Sequence, residues 1–162
     1  MSTVAERKRN PFLRSSTGGR VLSALMLPHF MLVPPAGFGV LTTTGRRSGK
    51  TRRKCVRAIR RGDRAYIVSI RPSAWLKNVQ ADPRVTLRIR GGIFSGVARE
   101  LRDPAERARA MDAYCDTVNA FDYSECMMWR SGRPTRAKIM DLHRTWFERG
   151  VPLVVELNSP LA

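Results

Sequence analysis

A chain of 162 residues with 43% hydrophobic content is the length of one ordinary domain and apolar enough to build one core. Its 30 Lys+Arg against 13 Asp+Glu give a formal charge of +17, which points to an anionic partner: a phosphorylated small molecule, nucleic acid or an acidic membrane surface. Cys55, Cys115 and Cys126 form no CxxC pair and no His stands at zinc-finger spacing, so a disulfide scaffold is excluded and the cysteines read as reduced thiols in a cytoplasmic protein. His29 and His143 are too few and too isolated for a metal site, and none is expected.

The first ten residues are polar and basic without an apolar period and are expected to be disordered, leaving 11–162 as a single domain. The run VLSALMLPHFMLV (21–33) is the one strongly apolar stretch. It is shorter than the ~20 residues a spanning helix needs, and no small-x-small cleavage site follows it. A buried helix is the leading expectation. The other reading is a helix lying on a membrane, aided by Arg7, Lys8, Arg9, Arg14 and Arg20, which would put the protein on the inner face through residues 7–33. Pro34 and Pro35 end it.

Strand patterns follow: FGVLTTT (38–44), RKCVRAI (53–59), RAYIVSI (64–70), RVTLRIR (84–90) and IFSGVAREL (93–101), separated by Gly, Asp or Pro. Alternation turns Leu87 and Ile89 inward and Arg88 and Arg90 outward, and Gly91 and Gly92 suit a two-residue hairpin. Between the third and fourth strands Ser73 caps a short helix that turns Trp75, Leu76 and Val79 inward. Asp103, Pro104 and Glu106 form the clearest helix start, predicting a helix to about Ala120. A further helix runs from near Pro134 to Gly150, and VPLVVEL (151–157) is a buried strand. About six mainly antiparallel strands, an N-terminal helix and two or three decorating helices make an α+β chain, read as a small β-barrel, with a ferredoxin-like sandwich as the competing arrangement.

The segment GRRSGKT (45–51) is one residue short of a nucleotide-binding P-loop, and strand-like sequence follows it where a P-loop needs a helix. It reads instead as a glycine-bounded basic hairpin. Residues 1–99 hold 21 basic and 3 acidic side chains, and 46–64 alone supply ten cations against Asp63. Arg46, Arg47, Arg52 and Arg53 are suited to bidentate contact with phosphate or carboxylate, Lys50 is a point charge, and Gly45 and Gly49 allow amides to approach an anion.

TTTGRRSGKTRR (42–53), GDRAYIVS (62–69), AWLKNVQADPRVTLRI (74–89) and RGVPLVVEL (149–157) together resemble the deazaflavin-dependent nitroreductase and quinone reductase family. The resemblance covers residues 38–101 well and the last strand moderately. It implies a split β-barrel and coenzyme F420, whose phosphodiester and glutamate tail suit a cationic groove. It assigns Arg46, Arg47, Ser48, Gly49, Lys50 and Arg53 to the tail, Val68 and Ser69 to the ring, and Trp75 and Asn78 to the loop over it. It also implies hydride transfer to a quinone, nitroaromatic or enone-type substrate. Tyr114, Tyr123 and His143 are candidate proton donors that no spacing selects, so the catalytic residues stay unassigned. A homodimer is an analogy from the fold.

Two departures open an alternative. Ser69 to Trp75 is only SIRPSAW, where the family has a longer glycine-containing loop, and 121–149 replaces a short aromatic segment. A divergent member that uses another flavin or none, and that binds fatty acid or another lipid at the membrane surface, is the runner-up. Specific nucleic-acid binding is not expected, since no helix-turn-helix or RNP-type aromatic strand is present.

Overall fold

The computed structural model describes residues 16–70 and 72–161; the basic N-terminus expected to be disordered lies outside them. Among the described residues five helices, α1 (Ser16–Leu32), α2 (Ala74–Ala81), α3 (Pro104–Asp116), α4 (Ala120–Trp129) and α5 (Arg136–Arg149), accompany seven strands. These are β1 (Phe38–Thr44), β2 (Thr51–Arg57), β3 (Ile59–Arg61), β4 (Arg64–Ser69), β5 (Arg84–Ile89), β6 (Gly92–Glu100) and β7 (Val151–Pro160). All pair antiparallel in the order β2-β1-β5-β6-β7-β4-β3. The sheet curls so that β2 meets β4 across an unpaired seam, a split barrel and not a ferredoxin-like sandwich.

The run 53–59, expected as one strand, is broken at Ala58. Its N–H leaves the β1 ladder for Gly37 O at 2.9 Å, and the next residue, Ile59, pairs with Tyr66 of β4. One chain segment thus serves both ends of the sheet, which is how the barrel curls. That corner makes seven strands where about six were expected.

The interior is solid. Leu41, Ile67, Leu87, Leu153 and Val155 are at most 1% exposed, and Leu76 and Val79 of α2 plug one end. Burial of each such side chain is worth ~1.5–3 kcal/mol. On the outer face, α1 packs Phe30 against Phe38 and Val40 of β1. Phe30, Phe38 and Phe121 of α4 meet edge to face, with centroids 4.8–6.0 Å apart. The expectation of a buried helix is half met: Val21, Leu25, Leu32 and Val33 remain exposed. A second outer layer joins Tyr66, Val68 and Val154 to Tyr114 of α3 and Phe147 of α5.

Asp103 caps α3 as expected, accepting from Glu106 N at 2.8 Å, while the Glu106 carboxylate turns to Arg99 and Arg64. The helix ends at Asp116, not near Ala120. The buried Arg57 guanidinium takes the carbonyls of Tyr114 and Thr117, and Asp122 Oδ2 accepts from Asn119 N to open α4. Four helices therefore follow the N-terminal one, where two or three were expected.

Candidate functional site

GRRSGKT joins β1 to β2 as a hairpin, with no helix after it. Gly45 N donates to Lys50 O (2.8 Å), Gly49 N to Gly45 O (2.7 Å) and Lys50 N to Ser48 Oγ (3.3 Å). Gly49 has φ +65° and open space where a Cβ would stand, so glycine is needed there for the backbone conformation. Arg46, Arg47, Ser48, Gly49, Lys50 and Arg53 are all exposed. None of Arg46, Arg47, Lys50, Arg52 or Arg53 pairs with a carboxylate among the described residues.

Asn78 has a tying role. Buried to 4% exposure, its Oδ1 accepts from Arg46 N and Nη1 (3.2 and 3.3 Å), and its Nδ2 donates to Thr43 Oγ1 (3.3 Å). The hairpin is thereby fastened to α2. Strand alternation then separates the cations of β2. Arg52 stands opposite Thr43 and shares a face with the interior Val56, while Arg53 shares the α1 side with Cys55. Arg52, left out of the tail assignment, is thus the arginine on the Thr43–Asn78 side.

The other flank of α2 borders a cavity of about 460 Å³, lined by Ser69, Pro72, Ser73, Leu76, Lys77, Gln80 and Arg149 among others. Residues 73, 76, 77 and 80 follow the i, i+3, i+4, i+7 spacing of one helix face, and Trp75 and Asn78 lie on another. Ser69 Oγ and Ser73 Oγ are 3.0 Å apart, and Ser73 Oγ caps α2 by accepting from Leu76 N at 3.2 Å. Trp75 is half-buried against the barrel interior. Ser69 reaches the cavity, but Val68 projects from the opposite face of β4 into the layer under α3 and α5, so its side chain is not brought to the rest. The helix face and Arg149 were not singled out in the sequence. The spacing of 73, 76, 77 and 80 was legible, but which face meets β4 and β7 is a tertiary fact.

The three candidate proton donors stand elsewhere. Tyr114 is buried beneath α3 and its phenol pushed up by burial, Tyr123 is exposed on α4, and His143 is 1% exposed. Burial, with Arg57 beside it, pushes the His143 imidazole down to about 3, so it is neutral. His143 belongs to a buried cluster in which Arg57 pairs with Asp122 and stacks over the Tyr114 ring at 5.1 Å. Burial raises the Glu125 carboxyl to about 8. It also raises that of Asp122, against the pull of Arg57. Ligand-type atoms of Asp122, Glu125 and His143 lie within 4.8 Å of one another, but the guanidinium already holds Asp122, and its charge opposes a second cation.

A family model described as F420H(2)-dependent quinone reductase matches residues 29–135. No curated protein matches the sequence. Among solved structures, one described as a domain-swapped dimer is 21% identical, covering 90% of this chain and 98% of that chain with a TM-score of 0.54. An F420-H2-dependent reductase is 22% identical over 76% of this chain and 97% of that chain, with a TM-score of 0.49. A conserved hypothetical protein from Mycobacterium tuberculosis is 16% identical, covering 85% and 81%, with a TM-score of 0.50. The likeness to the first and the third is one of fold, and the family rests on the sequence model, which spans well over half of the chain. The chain belongs to the F420H(2)-dependent quinone reductase family.

Proposed function

We propose that the protein is an F420-dependent reductase that binds the coenzyme's anionic tail at the β1–β2 hairpin and passes a hydride to a quinone, nitroaromatic or enone-type substrate. The observation that carries this is an exposed cluster of guanidiniums and a lysine without carboxylate partners among the described residues, fastened through Asn78 to the helix that borders the cavity. The residues fit the coenzyme: Arg47, Lys50, Arg52 and Arg53 offer charge, Ser48 a hydroxyl, and Gly49 an unobstructed backbone. When bound, the reduced deazaflavin supplies the hydride. The chain's own part is to hold the tail, to shape the ring site with Ser69 and Ser73, and to shield it from water with α2. Tyr114 and His143 are buried away from the cavity and take no part in proton transfer there.

A fluorescence titration with F420 tests the reading. Saturable binding that weakens with salt is expected, because a polyanionic ligand is screened. Lys50→Ala with Arg53→Ala, at exposed positions, is expected to weaken binding at least tenfold with the thermal midpoint unchanged. Arg52→Ala is expected to weaken it as strongly as Arg53→Ala alone. Unaltered affinity in the double variant would overturn the tail assignment.

A second reading, contact with a membrane surface, is favoured by α1. Val21, Leu25 and Leu32 fall on one helix face at i, i+4 and i+11, with Leu25 73% and Leu32 80% exposed, and Arg20 beside them. No described helix is long and apolar enough to cross a membrane. The barrel interior is filled by side chains, so acyl chains are placed at this surface and not inside. A homodimer is the assembly to test, on analogy with the domain-swapped neighbour.

A further inference from the structure

The barrel end remote from the basic hairpin holds a second concave surface. β1 runs from Phe38, opposite Arg57, to Thr44, opposite Thr51, so the two ends of this ladder are roughly 20 Å apart at ~3.3 Å per residue. At the Phe38 end, Gly37, Phe38, Ile59 and Ile89 contribute to the floor of a groove of about 260 Å³, and Arg60, Arg61 and Arg90 also line it. None of these arginines pairs with a carboxylate among the described residues, including Asp63 in the adjoining turn.

Two of the three are held in place. Arg60 Nε donates to Gly62 O at 2.9 Å, and the guanidinium lies 4.4 Å from the Phe94 ring centroid. Arg61 donates from Nη1 to Arg60 O (2.9 Å) and from Nη2 to Thr117 Oγ1 (2.7 Å). A guanidinium has five N–H groups, so donors remain on both. Asn119 lines the same groove, and its Nδ2, packed against Gly37, is buried without a hydrogen-bond partner. Three like charges around one concavity repel until an anion lies among them.

We propose that this groove is an anion site separate from the coenzyme site, taking a small organic oxyanion: a phosphate or carboxylate on a short apolar body. The guanidiniums hold the oxygens, as such forks do for phosphate and carboxylate, and Phe38, Ile59 and Ile89 contact the body. The volume is below the ~300–1,000 Å³ of sites for drug-sized ligands, which limits the body to about one ring.

Calorimetric titration of the full chain with phenyl phosphate, with inorganic phosphate as comparator, tests this. One saturable site is expected, with phenyl phosphate at least tenfold tighter than inorganic phosphate. Arg60→Gln with Arg90→Gln is expected to weaken phenyl phosphate tenfold or more, while Lys50→Gln with Arg53→Gln at the remote end changes it less than twofold. Arg90 has no hydrogen-bond partner among the described residues, so Arg90→Gln alone serves as a variant that folds, with a loss of threefold or more. Phenyl phosphate should also shift the backbone amide resonances of Gly37 and Ile89. Absence of saturation, equal affinity for the two phosphates, or a loss that follows the hairpin variant would overturn the site. F420 titration of the same variants separates the two proposals, since the Arg60/Arg90 variant should bind the coenzyme as wild type.

Discussion

Arg57 illustrates how one side chain can organise a region. It sits in β2, yet its guanidinium pairs with Asp122, 65 positions later, and donates to the carbonyls at the end of α3. Removing one partner of such a pair leaves the other buried and uncompensated, which costs ~3–5 kcal/mol. Asp122→Ala is accordingly expected to lower urea-unfolding stability by about that amount, whereas Asp82→Ala, whose partner Arg84 is exposed, should leave it nearly unchanged because solvent screens the pair. The same cluster sets a pH dependence. Glu125, facing Arg57, Asp122, His143 and Tyr114, stays protonated in the fold up to about 8, against 4.5 when unfolded. Between those values the unfolded chain holds fewer protons, so stability falls as pH rises. His143 works the other way: it is neutral in the fold down to about 3 but takes a proton below 6.5 when unfolded, so stability falls as pH drops through that window. The two slopes oppose each other between about 4.5 and 6.5, and Asp122, raised in the fold, acts on the same side as Glu125. The thermal midpoint should be highest in that interval. Glu125→Gln should flatten the decline from pH 6.5 to 8, and an unchanged decline would remove Glu125 as its cause.

Among the elements, α2 and the α5–β7 junction define the cavity. α2 is only eight residues, too short to persist alone, and is kept by the Ser73 cap, the buried Leu76 and Val79, and the Asn78 tie to the hairpin. At the junction Gly150 closes α5 where the chain turns into β7. A Cβ there would stand 2.6 Å from both Ser69 O and Trp146 O, which are backbone atoms with little room to give. Gly150→Ala is expected to cost ~1–3 kcal/mol and, by pushing β7 from β4 beside Ser69, to weaken F420 binding as well as stability. Loss of stability without any change in coenzyme affinity would detach Ser69 from the proposed ring site. Most element boundaries were legible: alternation and turn residues mark β1, β4, β5 and β6, and Asp103-Pro104 marks the start of α3. The breaks at Ala58 and after Asp116 were not, because each is made by a partner distant in sequence: Gly37 and β4 for the first, Arg57 for the second.

Taken as one body, the protein carries its surplus charge at two ends of a solid barrel and its exposed apolar face on a third side. If α1 meets membrane, sedimentation with vesicles containing anionic lipid should retain the protein at low salt, and Leu25→Gln with Leu32→Gln should reduce retention several-fold without changing the thermal midpoint. Equal retention of the variant would assign any binding to charge alone. The amino-acid order was sufficient for the strand periods, the basic hairpin in place of a P-loop, the capped helices and the family resemblance, because each depends on neighbours within a few residues. It did not select which of Arg52 and Arg53 shares the Thr43–Asn78 face, which of Val68 and Ser69 meets the cavity, or that Arg60, Arg61 and Arg90 would converge with Asn119 on one groove. Alternation states that consecutive side chains point oppositely, but only the curl of the sheet decides which side is inside. Convergence of groups about 30 residues apart depends on the curled topology.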